Sequence, residues 1–231
     1  MLFDLDGTLT NPKPGITRCI AYAVDCLGLP PVDPDTLGWC IGPPLRGTFG
    51  KVLGTTDPDL IASAIVYYRE RFGDVGLFEN EVYEGIPEVL NGLKAAGMRL
   101  FVATSKPETY ANRIIERFEL APYFERVVGS ELDGTREPKA EVIAHVISQC
   151  DADPAAAVMV GDRMHDVQGA HENGMPCIGV LYGFGEEGEL HRAGAWSLCN
   201  TPYEIPAAIR SLALPMQVHP PRSPDTVPPQ G

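Results

Sequence analysis

The sequence predicts an α/β fold, with a doubly wound, Rossmann-like parallel-sheet core and an inserted α-helical cap domain. After Tyr83, helix and strand patterns alternate, and repeated units of this kind build a parallel sheet covered by helices on both faces. Between Pro12 and Phe78, apolar residues recur at helical spacing with no strong strand pattern. The predicted domains are the core at residues 1–11 and 82–212, the helical insert at residues 12–81 and a tail at residues 213–231.

The net charge of the chain limits the classes of partner that it can bind. Its 231 residues include 18 Lys and Arg against 31 Asp and Glu, a net charge of −13. A chain this acidic repels a phosphate backbone, so neither a nucleic-acid polymer nor an anionic membrane surface is a predicted partner. Monomer and homodimer both remain open.

Targeting signals and cysteine motifs are also not apparent. The longest stretch between charged residues falls well short of the ~20 apolar residues that cross a bilayer. Asp4 and Asp6 stand where a secretory signal would be basic and then apolar, so we expect a cytoplasmic protein. Six cysteines without a C-x-x-C pair favour buried free thiols over a zinc site or a disulfide framework.

The first strand is Leu2 and Phe3, which open onto an acidic turn containing Gly7. Central strands usually have about five residues, so this one looks shortened at its N-terminal end. A start site placed too far downstream is one explanation.

The helical insert begins with an apolar face formed by Ile16, Ile20 and Val24, and Gly28 ends that helix. Asp57 followed by Pro58 predicts a second helix start, because Asp caps a helix N-terminus and Pro fits its first position.

The core elements follow in order along the chain. The predicted strands are residues 99–103, 126–129, 157–160 and 177–180, and the helices between them include residues 86–93, 110–118, 140–149 and a segment that ends at Gly174. In the tail, residues 215–231 hold six prolines in seventeen positions, which predicts disorder.

Polar and charged residues cluster where these strands end. In an open parallel sheet such residues converge at the carboxyl edge, where ligands bind. The residues placed there are Asp4, Asp6, Thr104, Ser105, Lys139, Asp162 and Asp166.

Four carboxylates at one site repel one another, and a divalent cation relieves the repulsion. Ligand sets made only of oxygen suit Mg²⁺, which prefers a few carboxylates together with water and a substrate phosphate. A lysine and a hydroxyl beside such a site can neutralise phosphoryl oxygens, and a nearby carboxylate can attack phosphorus to form an aspartyl-phosphate.

These residues resemble a known set of motifs. The run Asp4-Leu5-Asp6-Gly7-Thr8, then Thr104, Lys139 and Gly161-Asp162-Arg163-Met164-His165-Asp166, resembles the four ordered motifs of the haloacid dehalogenase-like hydrolase superfamily. The match extends over residues 1 to about 212. The insert between the first two motifs resembles the subfamily with an α-helical cap, and most of all its phosphoglycolate phosphatase and 5′-nucleotidase-like group.

The resemblance implies a role for each residue. Asp4 is then the nucleophile, and Asp6 is the acid that protonates the leaving alcohol and the base that activates water. Catalysis would use Asp4, Asp6, Thr104 and Lys139; substrate would contact Thr104, Ser105, Lys139 and Arg46; and Mg²⁺ would contact Asp4, the backbone carbonyl of Asp6, Asp162 and Asp166, the last directly or from the outer shell.

Arg46 and Lys51 are the insert cations nearest its Gly-Pro-Pro turn. They could reach an anionic substrate, although a solvated basic face is at least as good an interpretation. Trp39 and Phe49 are predicted to be core residues of the insert.

The predicted function is therefore Mg²⁺-dependent hydrolysis of a small-molecule phosphate ester: a phosphoglycolate, a nucleoside 5′-monophosphate or a sugar phosphate. The enzymatic alternative is a phosphomutase of the β-phosphoglucomutase type, and Thr8 favours the phosphatase. The alternative of another class is a non-catalytic phospho-ligand-binding or signalling protein on the same fold.

Overall fold

A computed structural model describes residues 1–212, so the predicted disordered tail lies outside the described residues. Within this range the strands form one six-stranded sheet and one two-stranded ladder. In chain order they are β1 (Leu2–Phe3), β2 (Thr10–Asn11), β3 (Glu81–Val82), β4 (Phe101–Pro107), β5 (Arg126–Ser130), β6 (Met159–Gly161), β7 (Cys177–Val180) and β8 (Ser197–Cys199). The larger sheet has the order β5-β4-β1-β6-β7-β8, and all its neighbouring strands are parallel.

Helices surround this sheet and fill the insert. In chain order they are α1 (Lys13–Cys26), α2 (Leu45–Leu53), α3 (Pro58–Arg71), α4 (Ile86–Ala95), α5 (Glu108–Arg117), α6 (Lys139–Cys150), α7 (Met164–Glu172), α8 (Glu189–Ala193) and α9 (Ile205–Leu212). Among them, in residues 1–212, no helix is both long enough and apolar enough to cross a bilayer.

The sheet is covered on both faces because successive strand residues point in opposite directions. Leu2 belongs to the apolar cluster with Val142 and Val146 of α6, and the next residue, Phe3, belongs to the cluster with residues of α4 and α5. Both side chains are almost fully buried. The predicted doubly wound α/β fold is confirmed.

The predicted strands differ from the observed ones mainly at their ends. The strand predicted at residues 99–103 is β4, which begins at Phe101 and continues to Pro107. Residues 157–160 correspond to β6, and residues 177–180 match β7. The sixth strand, β8, was not predicted, since three residues are too few to show an alternating pattern.

In the helical insert, α1 and α3 pack against each other around buried apolar side chains. The predicted cap of α3 is present, because Asp57 accepts a hydrogen bond from the backbone N–H of Asp59 at 2.9 Å. Phe49 is buried and packs edge-on against Tyr68, as predicted for a core residue. Trp39 is 43% exposed and lies against the ammonium of Lys51, so its assignment to the core was wrong.

The two chain passages between core and insert lie side by side. Thr10 and Asn11 pair antiparallel with Val82 and Glu81, so the predicted boundary between residues 81 and 82 falls inside this ladder. Just before β3, the carboxylate of Glu79 pairs with Arg71 of α3 at 2.7 Å, a contact within the insert.

Candidate active site

The turn after β1 brings the first acidic motif against the last one. Gly7 has a φ of +82°, and a Cβ at this position would lie 2.1 Å from Oδ2 of Asp162. Only glycine allows this backbone conformation together with so close an approach. The carboxylate of Asp4 is fixed by a hydrogen bond from the backbone N–H of Leu5 at 2.8 Å.

Lys139 is the first residue of α6, rather than part of the preceding turn as expected from the sequence. Its ammonium lies 2.7 Å from Asp4 Oδ1 and 2.9 Å from Asp166 Oδ1, and it donates to the carbonyl of Ala103 at 3.0 Å. Burial works against its charge, but the carboxylates of Asp166 and Asp4 outweigh burial and raise the pKa of Lys139. The buried lysine therefore stays charged.

Three buried carboxylates form a cluster around this lysine. Asp4, Asp162 and Asp166 each place one oxygen so that all three atoms lie within 4.8 Å of one another. Burial, followed by repulsion from Asp166 and Asp4, raises the pKa of Asp162 well above its usual range. Burial likewise raises the pKa of Asp166 to about 6, although Lys139 opposes this.

The chemistry of this cluster fits a hard divalent cation. One ammonium cannot balance three carboxylates, and the donors that meet here are all oxygen atoms. Carboxylate clusters of this kind are typical Mg²⁺ sites. The side chains that would hold the ion are Asp4, Asp162 and Asp166.

The backbone carbonyl of Asp6 is also a predicted Mg²⁺ ligand. Its carboxylate, in contrast, contacts a different lysine. Nζ of Lys106 lies 2.8 Å from both Oδ1 and Oδ2 of Asp6. Burial raises the pKa of Asp6, and the charge of Lys106 only partly opposes this effect. Asp6 is thus set apart from the three-carboxylate cluster.

Lys106 was not predicted to be a site residue. The available signal was its position two residues after Thr104 and just beyond the strand predicted at residues 99–103, because the other core site residues were also placed after predicted strands. The pairing with Asp6 itself depends on how two strand ends meet in three dimensions.

The two hydroxyl residues predicted to bind phosphate lie on the same strand. Thr104 is 2% exposed, and its hydroxyl accepts a hydrogen bond from the backbone N–H of Lys106 at 3.3 Å. The carbonyl of Ser105 accepts a hydrogen bond from the hydroxyl of Ser130 at 2.8 Å, which ties β4 to β5. Both residues line the cavity described next.

A cavity of about 730 Å³ extends from the carboxylate cluster towards the insert. Its walls include Asp4, Thr104 and Lys139 from the core, with Arg46 and Phe72 from the insert. The structure therefore brings Arg46 to the same cavity as the core residues, and its contact with substrate stays a prediction.

Two hydrogen bonds join the core to the insert beside this cavity. Nη1 of Arg163 donates to the carbonyl of Ile41 at 2.7 Å, and Arg69 donates to the carbonyl of Leu132 at 2.8 Å. The carboxylate of Glu189 holds the Arg163 guanidinium through Nε at 2.9 Å. The insert therefore contacts the core on two sides of the cavity, through Arg163 after β6 and Leu132 after β5.

Comparison with known families matches residues 1–180 to the family described as haloacid dehalogenase-like hydrolase. This chain belongs to that family. The predicted superfamily and the predicted enzyme class, a phosphatase, are confirmed.

Individual relatives of this haloacid dehalogenase-like hydrolase carry several names. A 5'-nucleotidase from Pseudomonas aeruginosa is 47% identical over 82% of this chain and 86% of its own length. A phosphoglycolate phosphatase from Caulobacter vibrioides is 29% identical over 91% of this chain and 90% of its own length. Tyrosine-protein kinase PtkA from Mycobacterium tuberculosis is 38% identical over 80% of this chain, which spans 62% of that protein.

Solved structures show the same fold. The crystal structure of a predicted phosphatase from Clostridium acetobutylicum superimposes with a TM-score of 0.85 at 42% identity, covering 92% of this chain and 97% of that one.

Proposed function

We propose that this protein is a Mg²⁺-dependent phosphatase that hydrolyses a small phosphate monoester through an aspartyl-phosphate on Asp4. The observation that carries the proposal is the buried Asp4–Lys139–Asp166 arrangement, which lines a cavity between core and insert, with the Asp6 carboxylate held separately by Lys106. Nucleophile and proton-transfer group are thereby distinct, as this chemistry requires.

Asp4 is positioned to form the new bond. One oxygen of its carboxylate accepts from the Leu5 backbone and lies next to the Lys139 ammonium, so the side chain is fixed in one orientation. In the first step an Asp4 oxygen attacks phosphorus, and the bond from phosphorus to the substrate oxygen breaks. Magnesium, when bound, supplies charge neutralisation at the phosphoryl oxygens.

Asp6 transfers the protons in this proposal. Burial raises the pKa of Asp6, which favours the protonated form that donates to the leaving alcohol, while Lys106 opposes this shift. Once ionised, the same carboxylate takes a proton from water as the water oxygen attacks the aspartyl-phosphate. The bond between phosphorus and Asp4 then breaks, which releases inorganic phosphate and restores the carboxylate.

Lys139, Thr104 and Ser105 hold the phosphoryl group in this proposal. Lys139 contributes a fixed positive charge, and Thr104 lies within β4, which pairs with β1, the strand that precedes Asp4. Because phosphoryl transfer depends mostly on positioning and charge neutralisation, removing any of these groups should slow the reaction.

The substrate is a soluble phosphate monoester small enough for the cavity. Phosphoglycolate, nucleoside 5′-monophosphates and sugar phosphates meet this description, and the names of the relatives support testing the first two. The helical insert acts as the cap that admits the substrate, and Arg46 contacts its anionic part. We place the enzyme in the cytoplasm, as a monomer or homodimer.

Phosphate release from a panel of these esters, with and without Mg²⁺, tests the proposal. Asp4→Asn removes the nucleophile at constant size, and Asp25→Asn is the matched control at an exposed aspartate on α1. We expect Mg²⁺-dependent release by the wild-type protein and the control, and none by Asp4→Asn. Turnover that persists in Asp4→Asn, or an absence of turnover on every ester, would contradict the proposal.

A further inference from the structure

The side chain of Lys106 is almost fully buried, at 6% exposure, and faces the side chain of Asp6, at 15% exposure. Its ammonium is equidistant from the two carboxylate oxygens, at 2.8 Å from each. Within residues 1–212, the Asp6 carboxylate has no other hydrogen-bond partner. This lysine therefore provides the contact that orients the Asp6 carboxylate.

The backbone of Lys106 lies where the pairing of β4 with β5 is irregular. It lies inside β4, whose pairing with β5 shifts register between Ala103 and Pro107. Its N–H donates to the Thr104 hydroxyl at 3.3 Å. A register shift of this kind redirects side chains, and here Lys106 lines the same cavity as Asp4 and Asp6.

The insert completes the arrangement. The ring of Phe72, which follows α3, has its centroid 5.0 Å from the Lys106 ammonium. A cation over an aromatic face at this distance is attracted to the ring. Phe72 is 3% exposed and stacks on Tyr68, so its ring is fixed by the packing of the insert. Lys106 therefore contacts Asp6 of the core and Phe72 of the insert.

We propose that Lys106 is a positioning residue, which holds the Asp6 carboxylate in place for proton transfer and is itself fixed by Phe72 of the insert. The proposal rests on the acid and base role assigned to Asp6 under the proposed function. Proton transfer needs heavy atoms within about 2.6–3.2 Å, so a carboxylate free to rotate would spend much of its time out of reach. The position of Phe72 in the insert and the orientation of the Asp6 carboxylate are thereby linked through the side chain of Lys106.

The test uses leaving groups of graded acidity. A poor leaving group, such as an alcohol, needs a proton from Asp6, whereas 4-nitrophenolate leaves without one. We expect Lys106→Met to lower kcat/KM for alkyl phosphates by about 10- to 100-fold, and for 4-nitrophenyl phosphate by less than about threefold. Lys106→Arg should recover part of the loss, and Lys94→Met at an exposed lysine on α4 should change neither value.

Phe72→Leu provides a second variant that keeps both charges. We expect it to shift the leaving-group dependence in the same direction as Lys106→Met, but by a smaller factor. A loss that is equal for all leaving groups would overturn the proposal. A loss confined to esters with a second anionic group would also overturn it, because Lys106 would then be a substrate contact.

Crystal structures of the wild-type protein and of Lys106→Met supply a measurement that does not depend on turnover. We expect the Asp6 carboxylate to leave its wild-type position in the variant while Asp4 and Lys139 stay in place. An unmoved Asp6 would overturn the positioning role. If the wild-type protein hydrolyses no phosphate ester, the proposed function fails, and this comparison still decides whether Lys106 positions Asp6.

Discussion

The ammonium of Lys139 lies between the carboxylates of Asp4 and Asp166, 2.7 Å from one and 2.9 Å from the other. It joins the carboxyl end of β1 to the start of α7 through a residue at the start of α6. Three segments far apart in the sequence therefore share one buried positive charge.

Replacing Lys139 by Met should destabilise the metal-free protein, because it leaves Asp4, Asp162 and Asp166 close together without a positive charge. Loss of one partner from a buried ion pair typically costs about 3–5 kcal/mol. Urea unfolding in EDTA measures the free energy, with Lys94→Met as control. Mg²⁺ should restore part of the stability of Lys139→Met, while an unchanged unfolding midpoint in EDTA would show that Lys139 does not balance the cluster.

Gly161→Ala should disturb Asp166 without changing any charge. A Cβ at residue 161 would lie 2.2 Å from the Cγ atom of Asp166, so the carboxylate must move. We expect about 1–3 kcal/mol of destabilisation together with a strong loss of activity. The matched control is Gly92→Ala on α4, where a Cβ meets no atom within 4 Å and a gain of about 0.5–1 kcal/mol is expected. Equal effects of the two substitutions would contradict the packing argument.

The Glu79–Arg71 pair within the insert should make a pH-dependent contribution to the stability of the protein. Hydrogen bonding by Arg71 holds the pKa of Glu79 below its ordinary value of 4.5. A carboxylate whose pKa is lower in the folded state stabilises the protein above pH 4.5, and this contribution disappears as the pH falls through the folded-state pKa. Glu79→Gln should therefore cost about 1 kcal/mol at neutral pH and progressively less in acid.

Chemical unfolding of the wild type and of Glu79→Gln, at a series of pH values from neutral to acid, measures this difference. The two unfolding curves should converge at low pH. A difference that stays constant across the series would mean that the Glu79 charge contributes nothing to the free energy of unfolding.

Arg163→Lys should loosen the contact between insert and core. The guanidinium uses Nε for Glu189 and Nη1 for the Ile41 carbonyl, whereas one ammonium cannot reach both. We expect a KM several-fold higher with a smaller change in kcat, and faster proteolysis near Ile41. A proteolysis rate equal to that of the wild type would argue that the Ile41 contact does not hold the insert in place.

The sequence was sufficient to place Asp4, Asp162 and Lys139 together, because parallel strands deliver their following residues to one edge and the motif order is specific. Lys106 could not be assigned to Asp6, since that pairing depends on the register shift within β4 and on the meeting of two strand ends. The strand β8 has only three residues, too few to show the alternation of apolar and polar residues that predicts a strand. Trp39 has an apolar side chain but is exposed beside Lys51. Its burial depends on how the neighbouring residues of the insert pack, which the sequence alone does not show.

The central claim, that Asp4 carries the phosphoryl group, is tested most directly by rapid acid quench during turnover followed by peptide mass spectrometry. In the presence of Mg²⁺ and substrate, we predict phosphate on the peptide that contains Asp4, and none in Asp4→Asn. The Asp6→Asn variant, which retains the nucleophile but should hydrolyse the intermediate slowly, should accumulate more of the modified peptide if its phosphorylation step is still fast with 4-nitrophenyl phosphate. Turnover without any phosphorylated Asp4 peptide, or phosphate trapped on another residue, would contradict the account.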